Sequence, residues 1–181
     1  MSALDYQKTL SKDPYLFLAD TDLRILSVFD DLYFDRADAD ILSPAMRIYA
    51  INRLKKIGFR QKTGTVLVHD KSEEKCLIPK FHALGASPFD ITRYTPRAER
   101  DFYLLTPTQT ACQFVDHYSL EDAVRHIEKL VAKQPINLYR MADYLERKPK
   151  HQEFRRALGY LKAAQEKAVS AEPLCRRRAL G

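Results

Sequence analysis

Glycine is scarce in this chain: only five of the 181 residues are glycines, and the nearest two, Gly58 and Gly64, are six positions apart. Loops that wrap phosphate groups with backbone N–H donors need several closely spaced glycines. The sequence contains no G-x-x-x-x-G-K-[ST], no G-x-G-x-x-G, no H-E-x-x-H and no G-x-S-x-G pattern. These absences remove the commonest nucleotide-binding and hydrolytic motifs from consideration.

Cysteine and long apolar runs are also in short supply. Cys76, Cys112 and Cys175 form an odd set without C-x-x-C or a zinc-like spacing, which favours a reducing cytoplasm and no structural metal. No run of eighteen apolar residues occurs, and the first residues lack the layout of a signal peptide. The sequence therefore predicts a cytoplasmic protein with no membrane segment.

Catalytic constellations are weak. Asp116, His117 and Ser119 are near neighbours in sequence, and neighbours on a helix point in different directions, so they form no triad. A magnesium-dependent nuclease remains the best enzymatic alternative, and its carboxylates are equally well explained as helix caps and turn residues: Asp20, Asp22, Asp30 and Asp35. We expect no enzymatic activity, no catalytic residue, no metal and no cofactor.

Charge is present in quantity but unevenly placed. Residues 1–40 hold four basic and nine acidic side chains, a net charge of −5. Residues 41–82 hold nine basic and three acidic side chains, a net charge of +6. The basic middle can face a polyanion or attract the acidic leader, so the asymmetry favours a binding module.

The basic middle has a recognisable pattern of elements. Ser43 is a good N-cap and Pro44 suits the first helical position, while Gly58 is placed to end the helix. Residues 62–65 then supply a turn, and residues 66–68 have strand propensity. A helix followed by a basic hairpin is typical of a winged helix-turn-helix. An ordinary solvated helix packed on a hairpin explains the pattern equally well.

The flanking segments predict further helices. Asp20 to Asp22 offer N-caps for a buried helix over residues 23–32, and residues 15–18 suit a brief docking helix. After a short strand over residues 102–105, the second half shows helix caps at Thr106, Ser119 and Asn137 and apolar residues at helical spacing.

The fold class predicted from these patterns is α+β, mainly α with a small β component. We expect a winged-helix-like N-terminal half and a C-terminal helical bundle. The predicted domains are an acidic leader with the winged helix over residues 1–85, a helical domain headed by a short strand over residues 86–170, and a disordered basic tail over residues 171–181.

Residues 103–161 resemble a known family. The pattern consists of four short stretches: Leu105-Thr106-Pro107-Thr108-Gln109-Thr110, Leu120-Glu121-Asp122-Ala123, Ile136-Asn137-Leu138 and Leu158-Gly159-Tyr160-Leu161. In this order they resemble the C-terminal part of AbiEi-like antitoxins, the transcriptional regulators of type IV toxin–antitoxin systems. The shared features are helix caps and packing positions.

The resemblance implies a winged-helix domain that binds operator DNA and represses its own operon. It also implies a nucleotidyltransferase-like toxin as a partner, and it allows a homodimer. On this hypothesis the residues facing the major groove are Arg47, Asn52, Arg53 and Lys56, with Arg47 first for a guanine contact, and Lys55 is a further DNA-binding residue. On the wing, the phosphate groups are contacted by Arg60, Lys62 and Thr63.

A second hypothesis uses the same basic surface without DNA. In that case the protein is an interaction module without catalytic activity, and its cations bind an acidic protein partner or the chain's own acidic leader. Affinity for duplex DNA as a function of salt separates the two hypotheses.

Overall fold

The computed structural model describes residues 3–29, 42–80 and 87–171. These residues form two compact units. The sheet unit consists of residues 3–29 together with the described residues between 42 and 105, and the helical unit consists of residues 106–171. Each unit has its own buried apolar core.

The sheet unit contains six strands, two helices of nine or more residues and one short helix. In chain order its elements are α1 (Ala3–Ser11), β1 (Leu16–Leu18), β2 (Ile25–Val28), α2 (Pro44–Lys56), β3 (Phe59–Thr63), β4 (Val66–His69), β5 (Lys75–Leu77), α3 (Ile91–Tyr94) and β6 (Phe102–Leu105).

The strands form one mixed sheet in the order β1-β2-β6-β5-β4-β3. Its centre is β6, which pairs in parallel with both β2 and β5. The two flanks are antiparallel, since β1 pairs with β2 on one side and β5-β4-β3 form a meander on the other. Every residue of β2 and β6 is buried, as expected of central strands that are covered on both faces.

Two predictions for the start of the chain are wrong. Ile25–Val28 is a strand and not part of a buried helix, and Leu16–Leu18 is a strand and not a brief docking helix. A short apolar run without alternation fits a buried strand as well as a buried helix, and pairing with β6 decides for the strand. Residues 23, 24 and 29 of the predicted helix are not helical either, and its last residues, 30–32, lie outside the described residues.

The helical unit consists of α4 (Pro107–His117), α5 (Leu120–Val131), α6 (Leu138–Leu145) and α7 (His151–Ala171). Its core is formed by apolar residues at helical spacing: Ala111, Phe114, Val115, Ile127, Leu130, Met141, Leu145, Phe154 and Leu161. The three predicted caps are confirmed, since Thr106, Ser119 and Asn137 each accept a hydrogen bond from a backbone N–H of the first turn.

The predicted α+β class is confirmed, with a sheet more extensive than the small β component expected. The strand Phe102–Leu105 was expected to head the helical half, and it lies instead at the centre of the sheet unit. The expected domain boundary at residues 85 and 86 and the tail from residue 172 onward lie outside the described residues. Within the described part of the chain, no helix has the length and apolar character needed to cross a bilayer.

Candidate nucleic-acid interface

Helix α2 forms as its sequence predicts. The Ser43 side chain accepts a hydrogen bond of 3.1 Å from the N–H of Met46, and Pro44 stands in the first turn, where no N–H is needed. Met46, Ala50 and Leu54 are buried, so one face of the helix packs into the core. The opposite face carries exposed residues at positions i, i+4, i+7 and i+8: Ile48, Asn52, Lys55 and Lys56.

The helix passes into the hairpin through Gly58. Its φ of +100° lies in the region that favours glycine, and its N–H donates to the Lys55 carbonyl at 3.2 Å. Phe59 then turns inward as the buried first residue of β3, while the next four residues of that strand are exposed. The paired strand β4 returns beside it, with an irregularity in the register between Gln61 and Thr63.

An open groove of about 520 Å³ lies where the C-terminal end of α2 meets β3. Six residues line it: Lys55, Phe59, Arg60, Gln61, Lys62 and Thr63. Three of these side chains are cationic, and none of the six is acidic. We call this surface the basic groove. It can attract an anionic polymer, because several like charges share one concave surface.

The structure places the predicted site residues in three different settings. Lys55, Arg60, Lys62 and Thr63 meet at the basic groove. Asn52 and Lys56 lie exposed on the adjoining face of α2 without lining the groove. Arg47 and Arg53 are held by contacts within the sheet unit.

Arg47 ties the helix to the hairpin, since its guanidinium donates a hydrogen bond to the carbonyl of Gly64 in the β3–β4 turn. Arg53 ties the helix to the segment after α1, since its Nε lies 2.9 Å from a carboxylate oxygen of Asp13. The same carboxylate accepts a hydrogen bond of 2.9 Å from the Tyr49 hydroxyl. Both arginines therefore support the position of α2.

Electrostatics around these arginines differ from those of the basic groove. Burial, partly offset by Arg53, raises the pKa of Tyr49 to about 12, so its hydroxyl keeps its proton and donates to Asp13. Arg60 pairs with Asp70 at 2.8 Å, but its side chain is 73% exposed. An ion pair this exposed is weak, so Arg60 stays available to a competing anion.

Two groove residues were missed by sequence reasoning. Gln61 lies between Arg60 and Lys62 on an exposed strand, and Phe59, whose ring is buried, also contributes to the groove lining. The signal was present in the apolar-to-polar change at the start of β3, but only the strand geometry shows that both residues line the groove.

Together, the fold and this surface define an α+β protein with a basic groove beside an edge strand. Comparison with known proteins adds no family: no family model matches the chain, and no curated protein and no solved structure is significantly similar to it. The resemblance of residues 103–161 to AbiEi-like antitoxins stays a prediction.

Proposed function

We propose that this protein binds duplex DNA through the basic groove and the exposed face of α2, and that it is a transcriptional regulator of antitoxin type. The observation that carries the proposal is the convergence of Lys55, Arg60 and Lys62 on one groove without an acidic neighbour among its lining residues. Phosphate contacts supply most of the affinity of such proteins, and Lys and Arg side chains make them.

The contacts divide between the two elements as in a winged helix. The hairpin would contact the phosphate backbone through Arg60, Lys62 and Thr63, all exposed in β3. Helix α2 would present Asn52 and Lys56 to base edges, and an Asn side chain can pair bidentately with adenine. Arg47 serves this arrangement indirectly, because it fixes the hairpin turn against the helix.

Salt dependence tests the DNA-binding proposal. We expect the affinity for a fluorescent duplex to fall steeply with added salt, since each neutralised phosphate contributes about −0.9 to the slope of log K against log salt. The double variant Lys55→Ala/Lys62→Ala should make this slope shallower by the contribution of roughly two phosphate contacts. Fluorescence anisotropy at several salt concentrations measures both quantities.

A matched control comes from the helical unit. Lys129 and Lys162 are exposed lysines on α5 and α7, so Lys129→Ala/Lys162→Ala changes the net charge by the same amount. This control should retain the original slope. Absence of duplex binding at low salt, or an equal loss in both double variants, contradicts the proposal.

Autorepression and the toxin partner rest on the resemblance of residues 103–161. A promoter fusion from the protein's own operon should lose activity when the protein is expressed and keep activity with Lys55→Ala/Lys62→Ala. A nucleotidyltransferase-like protein encoded beside it should copurify with the chain. An unaffected promoter with intact duplex binding would contradict the regulatory part alone.

The position of β3 supports one alternative function. As an edge strand with exposed cations, β3 can pair with an extended acidic segment of a partner protein, with no catalytic step. Competition separates this function from DNA binding. Polyglutamate that displaces a labelled duplex at equal charge concentration favours the acidic protein, whereas a duplex that resists displacement favours DNA.

A further inference from the structure

A second concave site lies in the sheet unit, apart from the basic groove. It is a cavity of about 430 Å³, within the size range of small-molecule pockets. Its lining comes from α1, from Leu18 at the end of β1 and the loop that follows it, and from Phe102 at the start of β6. The proposed DNA contacts use none of these residues.

The loop between β1 and β2 holds one residue in an uncommon conformation. Arg24 has a φ of +51°, in the left-handed region that a long side chain rarely adopts. Three hydrogen bonds hold it there: its N–H donates to the Thr21 carbonyl at 3.3 Å, and its carbonyl accepts from the Tyr103 N–H at 3.1 Å and from Arg97 at 2.9 Å. Such conformations persist where the surroundings enforce them, often at ligand sites.

Two polar atoms of this loop are buried without a hydrogen-bond partner among the described residues. They are the Oγ1 atom of Thr21 and the Nε atom of Arg24, and both residues line the cavity. Buried polar groups are normally satisfied, because an unmade hydrogen bond costs the full desolvation of the group. The Arg24 Nε–H and the Thr21 hydroxyl are both donors to which an acidic oxygen of a ligand could supply the missing hydrogen-bond acceptor.

Two guanidinium groups flank one buried carboxylate behind the cavity, while Asp22 and Asp101 interact with the neighbouring Arg97. Glu74 is buried, accepts a hydrogen bond from the Tyr6 hydroxyl, and lies 3.6 Å from Arg24 and 3.4 Å from Arg100. One carboxylate therefore faces two guanidinium groups. Burial and Glu74 together raise the pKa of Tyr6 to about 12, so this hydroxyl remains a neutral donor. Lys8 and Asp20 also line the cavity and are exposed, and their opposite charges cancel in the net charge of the lining.

Leu18, Ala19 and Phe102 form an apolar part of the lining, which also includes Gln7 and Ser11 of α1. We propose that this cavity binds a small organic anion, whose acidic group pairs with Arg24 and Thr21 and whose apolar body lies against Leu18 and Phe102. The chemistry shared by the candidate ligands is an acidic group on a compact apolar body, and that group is a carboxylate or a phosphate.

Three probes on the full chain test this site: sodium benzoate, phenyl phosphate and inorganic phosphate. We expect calorimetric titration to show binding of benzoate or phenyl phosphate with a Kd below about 1 mM. Preference between these two identifies the acidic group, since their ring is the same. Inorganic phosphate should bind at least about tenfold more weakly than the preferred organic probe, because it cannot use the apolar wall.

Variants locate the site. Arg24→Asn removes the guanidinium while placing at this φ a residue that tolerates it, and should weaken binding by about tenfold or more. Thr21→Val removes a hydroxyl that has no partner within the described chain, so the fold should be kept while the affinity falls by about threefold or more. Arg125→Gln, which changes an exposed arginine of α5, should leave the affinity unchanged.

Three results would overturn the proposal. The first is that neither organic probe binds, and the second is that Arg24→Asn and Thr21→Val both bind the probe as well as the natural chain. The third is that inorganic phosphate binds as tightly as phenyl phosphate, which would remove the apolar wall from the site.

Discussion

Gly58 shows how one residue governs the passage from α2 to the hairpin. A Cβ atom added at this position would lie 3.1 Å from Nε2 of His69, and the φ of +100° is unfavourable for any side chain. The His69 ring is buried between the rings of Tyr6 and Phe59, so it has little room to move. Conformational strain and crowding therefore act together at Gly58.

We predict that Gly58→Ala lowers the free energy of unfolding by about 1 to 3 kcal/mol. Urea denaturation followed by circular dichroism measures the change. Gly159→Ala is the matched control, because Gly159 lies inside α7 with open space around it. This control should raise stability by up to about 1 kcal/mol, and a loss of similar size in both variants would contradict the explanation.

The Tyr6–Glu74 hydrogen bond makes stability depend on alkaline pH. Burial first, and Glu74 second, raise the pKa of Tyr6 from 10.0 to about 12 in the folded chain. The unfolded chain therefore releases this proton at lower pH than the folded chain. The stabilising contribution is complete below pH 10 and is lost as the pH rises from 10 to 12.

We predict that the difference in unfolding free energy between the natural chain and Tyr6→Phe shrinks from pH 9 to pH 12. Loss of the buried hydrogen bond should make Tyr6→Phe less stable by about 1 to 3 kcal/mol at pH 9. Comparing two variants at each pH cancels the titration of the lysines. A difference that stays constant over this range would show that the pKa of Tyr6 is not raised by folding.

At the scale of elements, hydrogen bonds of N-cap side chains fix where the helices begin. Thr106 and Gln109 form a reciprocal capping box at the start of α4, with backbone-to-side-chain hydrogen bonds of 3.0 and 3.1 Å. Both residues are buried, so water cannot replace either hydrogen bond. Ser119 is also a side-chain N-cap, accepting from the Asp122 N–H at the start of α5, but it lies exposed.

We predict that Thr106→Ala costs about 2 kcal/mol of unfolding free energy, at the upper end of the range for N-caps. Ser119→Ala should cost less, because water can satisfy the exposed N–H of Asp122. Thermal and urea denaturation compare the two variants. Thr106→Ser keeps the hydroxyl and should be nearly as stable as the natural chain. If Thr106→Ser is as unstable as Thr106→Ala, the loss of stability comes from the missing methyl group and not from the cap.

At the scale of the whole molecule, the division into two units sets what can fold alone. The sheet unit is built from two separate segments of the chain, and its central strand β6 pairs with β2, which lies far away in sequence, and with β5, which ends more than twenty residues earlier. The described part of the helical unit is the single segment 106–171, in which α4 packs on α5 and α6, α7 packs on α5 and α6, and a separate core is buried. Local contacts carry a smaller loop-closure cost than distant ones.

We predict that a fragment of residues 106–171 forms helices and unfolds cooperatively when heated. Circular dichroism at 222 nm measures both properties. Phe154→Ala, which removes a fully buried ring from this core, should abolish the cooperative transition in the fragment. A fragment without helical signal would show that the helical unit depends on the rest of the chain.

The two halves of the chain differ in how far the sequence predicts them. The helices α4 to α7 follow from caps and 3.6-residue periodicity, both of which act over a few residues. The strands β1 and β2 were predicted as helices, because their apolar runs are too short to show a period. Helix α1 was not predicted. Its Tyr6 and Leu10 are buried, and only packing in the sheet unit shows that they belong to the core.

The candidate site shows the same division. The sequence alone placed the cations of α2 and β3 close together along the chain, and it determined the helix start at Ser43 and the turn at Gly58. Tertiary structure decided which of these cations share a groove. Arg47 and Arg53 are held by Gly64 and Asp13, whereas Lys55, Arg60 and Lys62 face one concave surface. Caps and periodicity depend on neighbours in sequence, but partners of a long charged side chain depend on which distant segments the fold brings within a few ångströms.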